Sequence, residues 1–415
     1  MAAVRPFKGV RPKDQKMAEE MISLPYDVMN RKEAKEMAEG KPHSFLRIVR
    51  SEIELPESVD AYSKEVYLKA KDVLDKWRQE GILITDEKSC FYIYRQKMEG
   101  RVQTGLVACA SIDDYMNNVI KKHEFTRKEK ELDRINHFDV CDANTEPVFF
   151  TYRKKEEISK IINDWVESHA ATYDVTTEDD ITHTVWVLDD EALVAKLTEL
   201  FASIDYLYIA DGHHRSASAA ATGIKRREDN PDYTDEEEFN RFLTVIFPDE
   251  DLYVMDYNRV VKDLNGLSSE EFLNKVGEKF TITESKTAPF KPGKKNEFGM
   301  FLDGKWYVMS AKPGTCPEQD PVESLDAAIL QSNLLDPILG IEDPRTNNRI
   351  DFVGGIRGLG ELERRVNEDM KVAFSLFPVT IKDLMAVSDA DRVMPPKCTW
   401  FEPKLRSGLF IHTLS

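Results

Sequence analysis

The chain is short of most features that assign a sequence quickly. Its 415 residues hold five cysteines, Cys90, Cys109, Cys141, Cys316 and Cys398. The count is odd and no pair has CxxC spacing, which argues against a disulfide framework or a structural zinc site and for reduced thiols. No apolar run approaches the ~20 residues that a membrane helix needs. The first residues lack the apolar core of a signal peptide. No Gly-x-Gly-x-x-Gly follows a strand and no phosphate-binding P-loop is present, so the Rossmann and P-loop folds are disfavoured. Internal repeats and low-complexity stretches are lacking too. Positive charge is scarce: 57 Lys and Arg face 75 Asp and Glu, a net charge of −18. Such a surface repels phosphate polymers at long range, so neither nucleic acid nor an anionic membrane is an expected partner. A local basic pocket for one small anion stays compatible with it.

What is present reads as a globular cytoplasmic protein, 41% apolar and 32% charged. Its length predicts two or three domains at ~150 residues each. Asn30 with Glu33 forms a capping box ahead of a helix through Arg31–Glu39. Phe45–Val49 reads as a strand, 58–80 as one amphipathic helix, and Cys90–Gln96 with Gln103–Ala110 as a hairpin around Glu99-Gly100. Residues 111–135 are charged with a helical period. Strands are predicted at Pro147–Tyr152, Thr182–Leu188, Tyr206–Ala210, Leu243–Phe247 and Leu252–Asp256. Helices are predicted at Glu156–His169, Asp190–Ile204 and Ser216–Arg227. The composition then shifts to a smaller unit, with a helix near 269–279, strands near 298–310, a helix over Pro321–Leu334 and a last strand at Leu409–His412. The whole predicts an α+β fold of mixed β-sheets with flanking helices. An N-terminal domain, 1–250, precedes a C-terminal α+β domain, 251–415, that contributes a basic loop.

The segment richest in chemistry is Asp211-Gly212-His213-His214-Arg215-Ser216, at a strand-to-helix junction. Gly212 permits a tight turn with close backbone approach. The helix that follows offers unpaired N–H groups and a positive dipole end to an anion. Arg215 can grip a phosphate with its planar fork, and the paired imidazoles add donors that titrate near neutral pH. Asp211 can bind a metal, orient a histidine, accept a proton or simply cap the helix. A second candidate set is His123, Glu124, Thr126, Arg127, Asp133 and Arg134, where helical spacing would place Glu124 and Arg127 on one face with Glu131 another turn along. Glu124 or Asp27 would suit a general base; a solvated helix of ion pairs explains the same charges. The third is the Pro-rich basic stretch 395–408. There Lys397, Thr399, Lys404, Arg406 and Ser407 could hold phosphates, with Trp400 or Phe401 stacked on a base. The glycines of 354–358 read as a strand and turn.

The Asp-Gly-His-His-Arg string resembles the nucleotide-binding motif of ParB/sulfiredoxin-like proteins, and most closely that of the free-serine kinases among them. Over nearly its whole length the chain also resembles the family called domain of unknown function 1015. The matching strings are Arg5–Pro12, Pro25–Val28, His123–Thr126, Asp133-Arg134, Ala210–Arg215, Arg349–Gly355 and Met394–Leu409. The kinase resemblance implies a ParB/sulfiredoxin-like nucleotide-binding element, ATP or ADP, Mg²⁺ and a glutamate as base. The sequence does not mark which acid that would be.

The reading this favours is a nucleotide-dependent phosphotransferase acting on a small hydroxylated metabolite, free L-serine being the specific case. Asp211, His213, His214, Glu124 and Asp27 are its catalytic candidates. Gly212, Arg215, Ser216, Arg127, Lys397, Thr399, Lys404 and Ser407 would hold the nucleotide, and Asp211 the metal. Two alternatives stand beside it. One is a metal-dependent phosphoester hydrolase using Asp211, His213, His214 and His123. The other is a nucleotide-binding regulatory protein without turnover.

Overall fold

A tight turn organises the largest sheet. Glu99 and Gly100 take φ of 50° and 80°, which folds Phe91–Met98 back on Arg101–Ser111 as the predicted hairpin. The computed structural model describes residues 1–317 and 319–415. They form two compact units, Met1–Leu252 with Pro403–Ser415, and Tyr253–Glu402. The final segment therefore returns to the first unit, which one cut at 250 does not provide for.

The first unit is built on a nine-stranded sheet. Its strands are β1 (Val4–Arg5), β2 (Phe91–Met98), β3 (Arg101–Ser111), β4 (Ile120–Lys121), β5 (Val148–Tyr152), β6 (Tyr173–Thr176), β7 (Thr182–Leu188), β8 (Leu207–Asp211) and β9 (Arg241–Pro248). The spatial order is β4-β8-β5-β9-β3-β2-β7-β6, with β1 added beside β3. Only β4/β8 and β5/β9 run parallel. Fully buried strands such as β5, Val-Phe-Phe-Thr-Tyr, read as continuous apolar runs because both faces are covered. Phe91, Ile93, Leu106, Phe150 and Ile209 pack with Ile158, Trp165, Leu197 and Ala219 from the flanking helices.

Two helices frame the site, α1 (Lys128–Cys141) and α2 (His213–Asp229). Small residues let α2 lie close to its neighbours. A Cβ on Gly223 would sit 2.4 Å from the Phe239 carbonyl oxygen. The Ser218 hydroxyl donates to the Glu131 carbonyl of α1 at 2.9 Å.

The second unit holds a six-stranded antiparallel sheet. Its order is Phe280–Glu284, Lys305–Ala311, Glu297–Leu302, Val372–Leu376, Tyr257–Val261, Ile350–Gly354. Val260, Phe301, Trp306, Leu362 and Ala373 make its core cluster. Among the described residues no helix is long and apolar enough to cross a membrane, and all five cysteines are free.

The architecture is mixed α+β, as expected. Several local readings need correction. Leu46–Val49 is helical, not a strand; a short run with Leu46, Ile48 and Val49 all buried carries no period to separate the two. The helix expected at 58–80 begins only at Lys64. Residues 111–135 are not one helix: Ile112–Met116, β4 and an irregular stretch precede α1. Glu124 and Arg127 therefore share no helix face. The expected helix over Pro321–Leu334 shrinks to Asp326–Leu330 followed by a π-turn, Gln331–Leu335. The strand expected at Leu409–His412 is confined to His412–Thr413.

Gly105 on β3 tests the packing of the sheet. Replacing a strand glycine with alanine normally stabilises by ~0.4–1 kcal/mol through the unfolded state. Here the new Cβ would sit 2.9 Å from both Phe247 and Val245 side chains. Overpacking costs typically ~1–3 kcal/mol, so Gly105→Ala is expected to lower the melting temperature. A rise on thermal denaturation would show that the sheet yields there.

Candidate active site around the start of a helix

The segment that carries the chemistry is shaped by one residue without a side chain. β8 is irregular between Ile209 and Asp211, and Gly212 then takes φ +94° as the N-cap of α2. No side chain caps this helix. The first-turn N–H groups of His213, His214 and Arg215 thus have no intrahelical acceptor, and the positive end of a 17-residue helix is left for an anion. The sequence predicts a helix from Ser216. It begins at His213, so the two histidines and the arginine lie on its first turn.

Arg215 folds back over this opening. It is 3% exposed, and a Cβ on Gly212 would lie 3.2 Å from its Nε and Nη2. Its Nη1 donates to the Pro147 carbonyl at 2.6 Å. Its Nε has no hydrogen-bond partner among the described residues. Burial opposes the charge, but Asp27, Glu146 and Asp211 together hold the guanidinium protonated above its ordinary range. Arg215 is therefore a fixed cation with a donor to spare.

Asp211 is fully engaged. One oxygen accepts from the Gly212 N–H at 2.8 Å and the other holds the Lys404 ammonium at 2.8 Å. Burial alone would raise its pKa; Lys404 and Arg215 outweigh that and keep it ionised well below the usual range. This corrects the metal role expected for Asp211. A divalent cation there would have to displace the ammonium, so the residues do not fit a magnesium held by Asp211. Among the described residues no group of three or more His, Cys, Asp or Glu side chains could hold a metal ion. The donor set expected for a metal-dependent hydrolase is not assembled.

Lys404 arrives on the chain's final segment, which is tied down residue by residue. Gln96 donates to the Lys404 carbonyl at 2.8 Å and is itself held by Gln103 at 2.8 Å. Arg406 reaches Asp179 and His183. Ser407 pairs with Ser23 through both backbone groups, and its hydroxyl donates to Glu146 at 2.8 Å. A Cβ on Gly408 (φ +93°) would meet Phe45 at 2.9 Å.

The three imidazoles are neutral. Burial pushes His123 down to about 4, against a smaller pull from Asp211. His213 falls well below its ordinary value through burial and its neighbour His123, whose ring stands edge-on at 4.4 Å. Burial and then Lys130 lower His214. The rings therefore lack the charge change near neutral pH that the sequence suggests. In the folded protein the positive charge of the site comes from Arg215, Lys404 and Arg134, and the rings serve as neutral hydrogen-bonding groups. His214 accepts from the Arg127 backbone N–H at 2.9 Å.

The remaining expected residues divide. Asp27 lies on an exposed turn, Tyr26–Val28, within electrostatic reach of Arg215 and His214. Glu124 lies 3.8 Å from the His213 Nδ1 and is half exposed. The Arg127 side chain is exposed, and its backbone N–H donates to His214. Ser216 is buried with its hydroxyl donating to the Gly212 carbonyl at 3.1 Å, so its proton is already used. Lys397 and Thr399 belong to the second unit, where the Lys397 ammonium lies 5.7 Å over the Tyr257 ring.

Glu146 was not anticipated. It is 1% exposed, and one oxygen accepts from the Tyr26 N–H at 3.0 Å and from Ser407. The other oxygen lies 3.8 Å from Arg134 Nη1 and has no hydrogen-bond partner among the described residues. Burial raises its pKa, opposed by Arg215 and Arg134. The one sequence signal was its place beside Pro147, directly before the apolar strand β5, where a carboxylate cannot escape burial.

Neutral buried histidines impose a pH dependence. His183, pushed down to about 3 by burial and Arg406, behaves like His123. Below pH ~6.5 the unfolded chain takes up protons that the folded protein refuses. Stability present at pH 7 is therefore lost as the pH falls from ~6.5 toward 4, by up to ~1.4 kcal/mol per pH unit for each histidine. The melting temperature is expected to drop between pH 7.5 and 5. A flat profile over that range would mean that the rings can be protonated in place.

Comparison with solved structures finds distant likenesses. A free serine kinase mutant in complex with AMP is 14% identical, with a TM-score of 0.36, over 76% of this chain and 88% of that one. SbnI with a C-terminal truncation, from Staphylococcus aureus, is 11% identical, with a TM-score of 0.39, over 72% and 85%. A conserved hypothetical protein from Pyrococcus furiosus is 15% identical, with a TM-score of 0.34, over 74% and 94%. No curated protein matches the sequence. One family model does, over residues 4–328, and the chain belongs to that family, described as Protein of unknown function (DUF1015).

Proposed function

We propose that the first unit binds ATP or ADP through its phosphates and transfers a phosphoryl group to the hydroxyl of a small metabolite, with L-serine as the first substrate to test. One observation carries the reading. The uncapped start of α2 is flanked by two fixed cations, Arg215 and Lys404, and one of them keeps an unused buried N–H. Three first-turn N–H groups, a guanidinium and an ammonium suit a phosphate chain. The likeness of Asp211–Arg215 to the free-serine kinase motif supports the same assignment.

Phosphoryl transfer asks mainly for positioning and charge neutralisation. The acceptor oxygen attacks the terminal phosphorus, the bond from that phosphorus to its bridging oxygen breaks, and ADP or AMP leaves with that oxygen. Arg215, Lys404 and the helix N–H groups neutralise the charge that develops. The acceptor's proton goes to a carboxylate. Asp27 takes this role ahead of Glu124, because it is exposed and faces Arg215 electrostatically, whereas Glu124 sits against His213. The nucleotide-binding protein without turnover needs the same phosphate site and differs only in forming no product.

Two measurements test this. Purified protein with ATP or ADP, Mg²⁺ and a panel of hydroxylated metabolites should yield a phosphorylated product by mass spectrometry. Asp27→Asn should lower kcat ~10²–10⁴-fold, the range for losing a general base, while Glu124→Gln has a smaller effect. Nucleotide-induced thermal stabilisation without product would support the regulatory reading; no stabilisation by either nucleotide would sink both.

Lys404→Met gives a structural check. It removes the cation from the partly buried Asp211 carboxylate, which then keeps only the Gly212 N–H. A lower melting temperature is expected together with lost nucleotide stabilisation, and Lys404→Arg should recover part of both. Unchanged nucleotide binding in Lys404→Met would remove Lys404 from the phosphate site.

A further inference from the structure

The main sheet carries a second cleft, at the end away from the start of α2. Arg215 donates to the Pro147 carbonyl just before β5, whereas Tyr152, the last residue of β5, lies on the wall of this cleft. Five strand residues at ~3.3 Å each put the two places ~15 Å apart. The cleft holds about 500 Å³, within the ~300–1,000 Å³ of small-molecule sites. It lies between β2, β3, the end of β9 and the helix Glu156–Ser168.

Most charges on its wall are already paired. The Lys154 ammonium lies 3.1 Å from both Glu156 and Glu250, and Lys160 holds Asp164 at 2.7 Å. Asp251 accepts from the Thr104 N–H at 3.2 Å.

Arg95 differs. Its Nε donates to the hydroxyl oxygen of Thr104, its partner across the β2–β3 pair, at 3.0 Å. Its guanidinium stands 5.3 Å over the Trp186 ring of β7. These two contacts fix the fork in place. Its Nη1 and Nη2 donate to none of the described residues, and neither is buried. Two parallel N–H groups open to a cleft match the two oxygens of a carboxylate. Partial burial lowers the Arg95 pKa, against an upward pull from Asp251 and Glu167, so a bound anion would favour the charged form further.

The wall also limits the ligand's charge. Asp251, Asp164 and Glu156 would repel a phosphate or a dicarboxylate more than a single carboxylate. Val102, Ile162 and Pro248 give the cleft an apolar side. We infer that this cleft binds a small monocarboxylate with an apolar body, its carboxylate held bidentate by Arg95. The site is separate from the start of α2, and its occupancy does not depend on the phosphotransfer reading.

The test is a calorimetric titration of the full-length protein with sodium benzoate and 4-methylpentanoate. Benzamide serves as the uncharged analogue, and succinate and inorganic phosphate as anions of higher charge. At least one monocarboxylate should bind at least ~10-fold more tightly than these three, the worth of a charge-assisted contact. Arg95→Gln should weaken that binding at least ~10-fold, and Arg95→Lys should recover little of it, because an ammonium cannot present the fork. Val102→Glu is the second probe. Val102 lines the cleft and is 47% exposed, so an acid there repels a carboxylate without entering the core. It should weaken monocarboxylate binding and leave ADP-induced thermal stabilisation unchanged. Failure of both monocarboxylates to bind, equal binding of benzamide, tighter binding of succinate or phosphate, or full affinity in the Arg95→Gln or Val102→Glu protein would overturn the assignment. Monocarboxylate binding without any ATP or ADP stabilisation would refute the nucleotide reading and leave this site standing.

Discussion

The first unit depends on the ion pair between Asp211 and Lys404. Asp211 ends β8, next to the edge of the sheet, and Lys404 comes from the last segment of the chain. Their contact closes a loop of nearly half the sequence. Electrostatically it works in both directions. The carboxylate stays ionised at the mouth of a helix because the ammonium is there, and the ammonium is held beside the same helix start because the carboxylate is there. Were Asp211 to cap the helix with its side chain, the first-turn N–H groups would be used internally. Instead it bonds the Gly212 N–H, and Lys404 adds positive charge to an end that is already positive.

The net charge of −18 conceals this arrangement. Arg134 and Arg215 are both buried, and each faces acids: Asp133 and Glu146 for the first, Asp27, Glu146 and Asp211 for the second. Glu146 is common to both. It also ties the Tyr26–Val28 turn to the returning Ser407. One carboxylate thus lies in the field of two guanidinium groups and ties together two distant segments of the chain. Buried charges seldom add net stability; their use here is placement, since each of these groups can move only at the cost of the others.

Much of this was legible in the sequence, for reasons that can be stated. The Asn30–Glu33 capping box, the hairpin at Glu99-Gly100 and the apolar strand β5 are local signals, and local signals survive tertiary packing. The Asp211–Arg215 segment was legible because glycine, histidine and arginine between a strand and a helix have few bland explanations. The readings that failed depended on contacts far along the chain. Leu46–Val49 is helical because of what surrounds it. Charged periodicity at 111–135 suggested a helix, but the region holds β4, which exists only by pairing with β8. The histidines' lack of charge could not be seen either, because burial sets it and no spacing reveals burial.

The basic stretch near the end shows most clearly where sequence reasoning stops. Lys397, Thr399, Lys404 and Ser407 look like one loop, and local positive charge in an acidic protein suggested one ligand for all. The fold divides them: Lys397 and Thr399 belong to the second unit, and Lys404 and Ser407 to the first. Pro403 is where the chain passes from one to the other. What the first unit receives is therefore a short segment with three polar anchors. Lys404 meets Asp211, Arg406 meets Asp179 and His183, and Ser407 meets Glu146. Each anchor lands on a partner from a different part of the chain, so the register of the segment is fixed at three points. A shift of one residue would put Leu405 against Asp211 and leave a buried carboxylate without its cation. The positive charge beside α2 is thus placed by pairing register, and the identities of Lys404, Arg406 and Ser407 follow from the partners they reach.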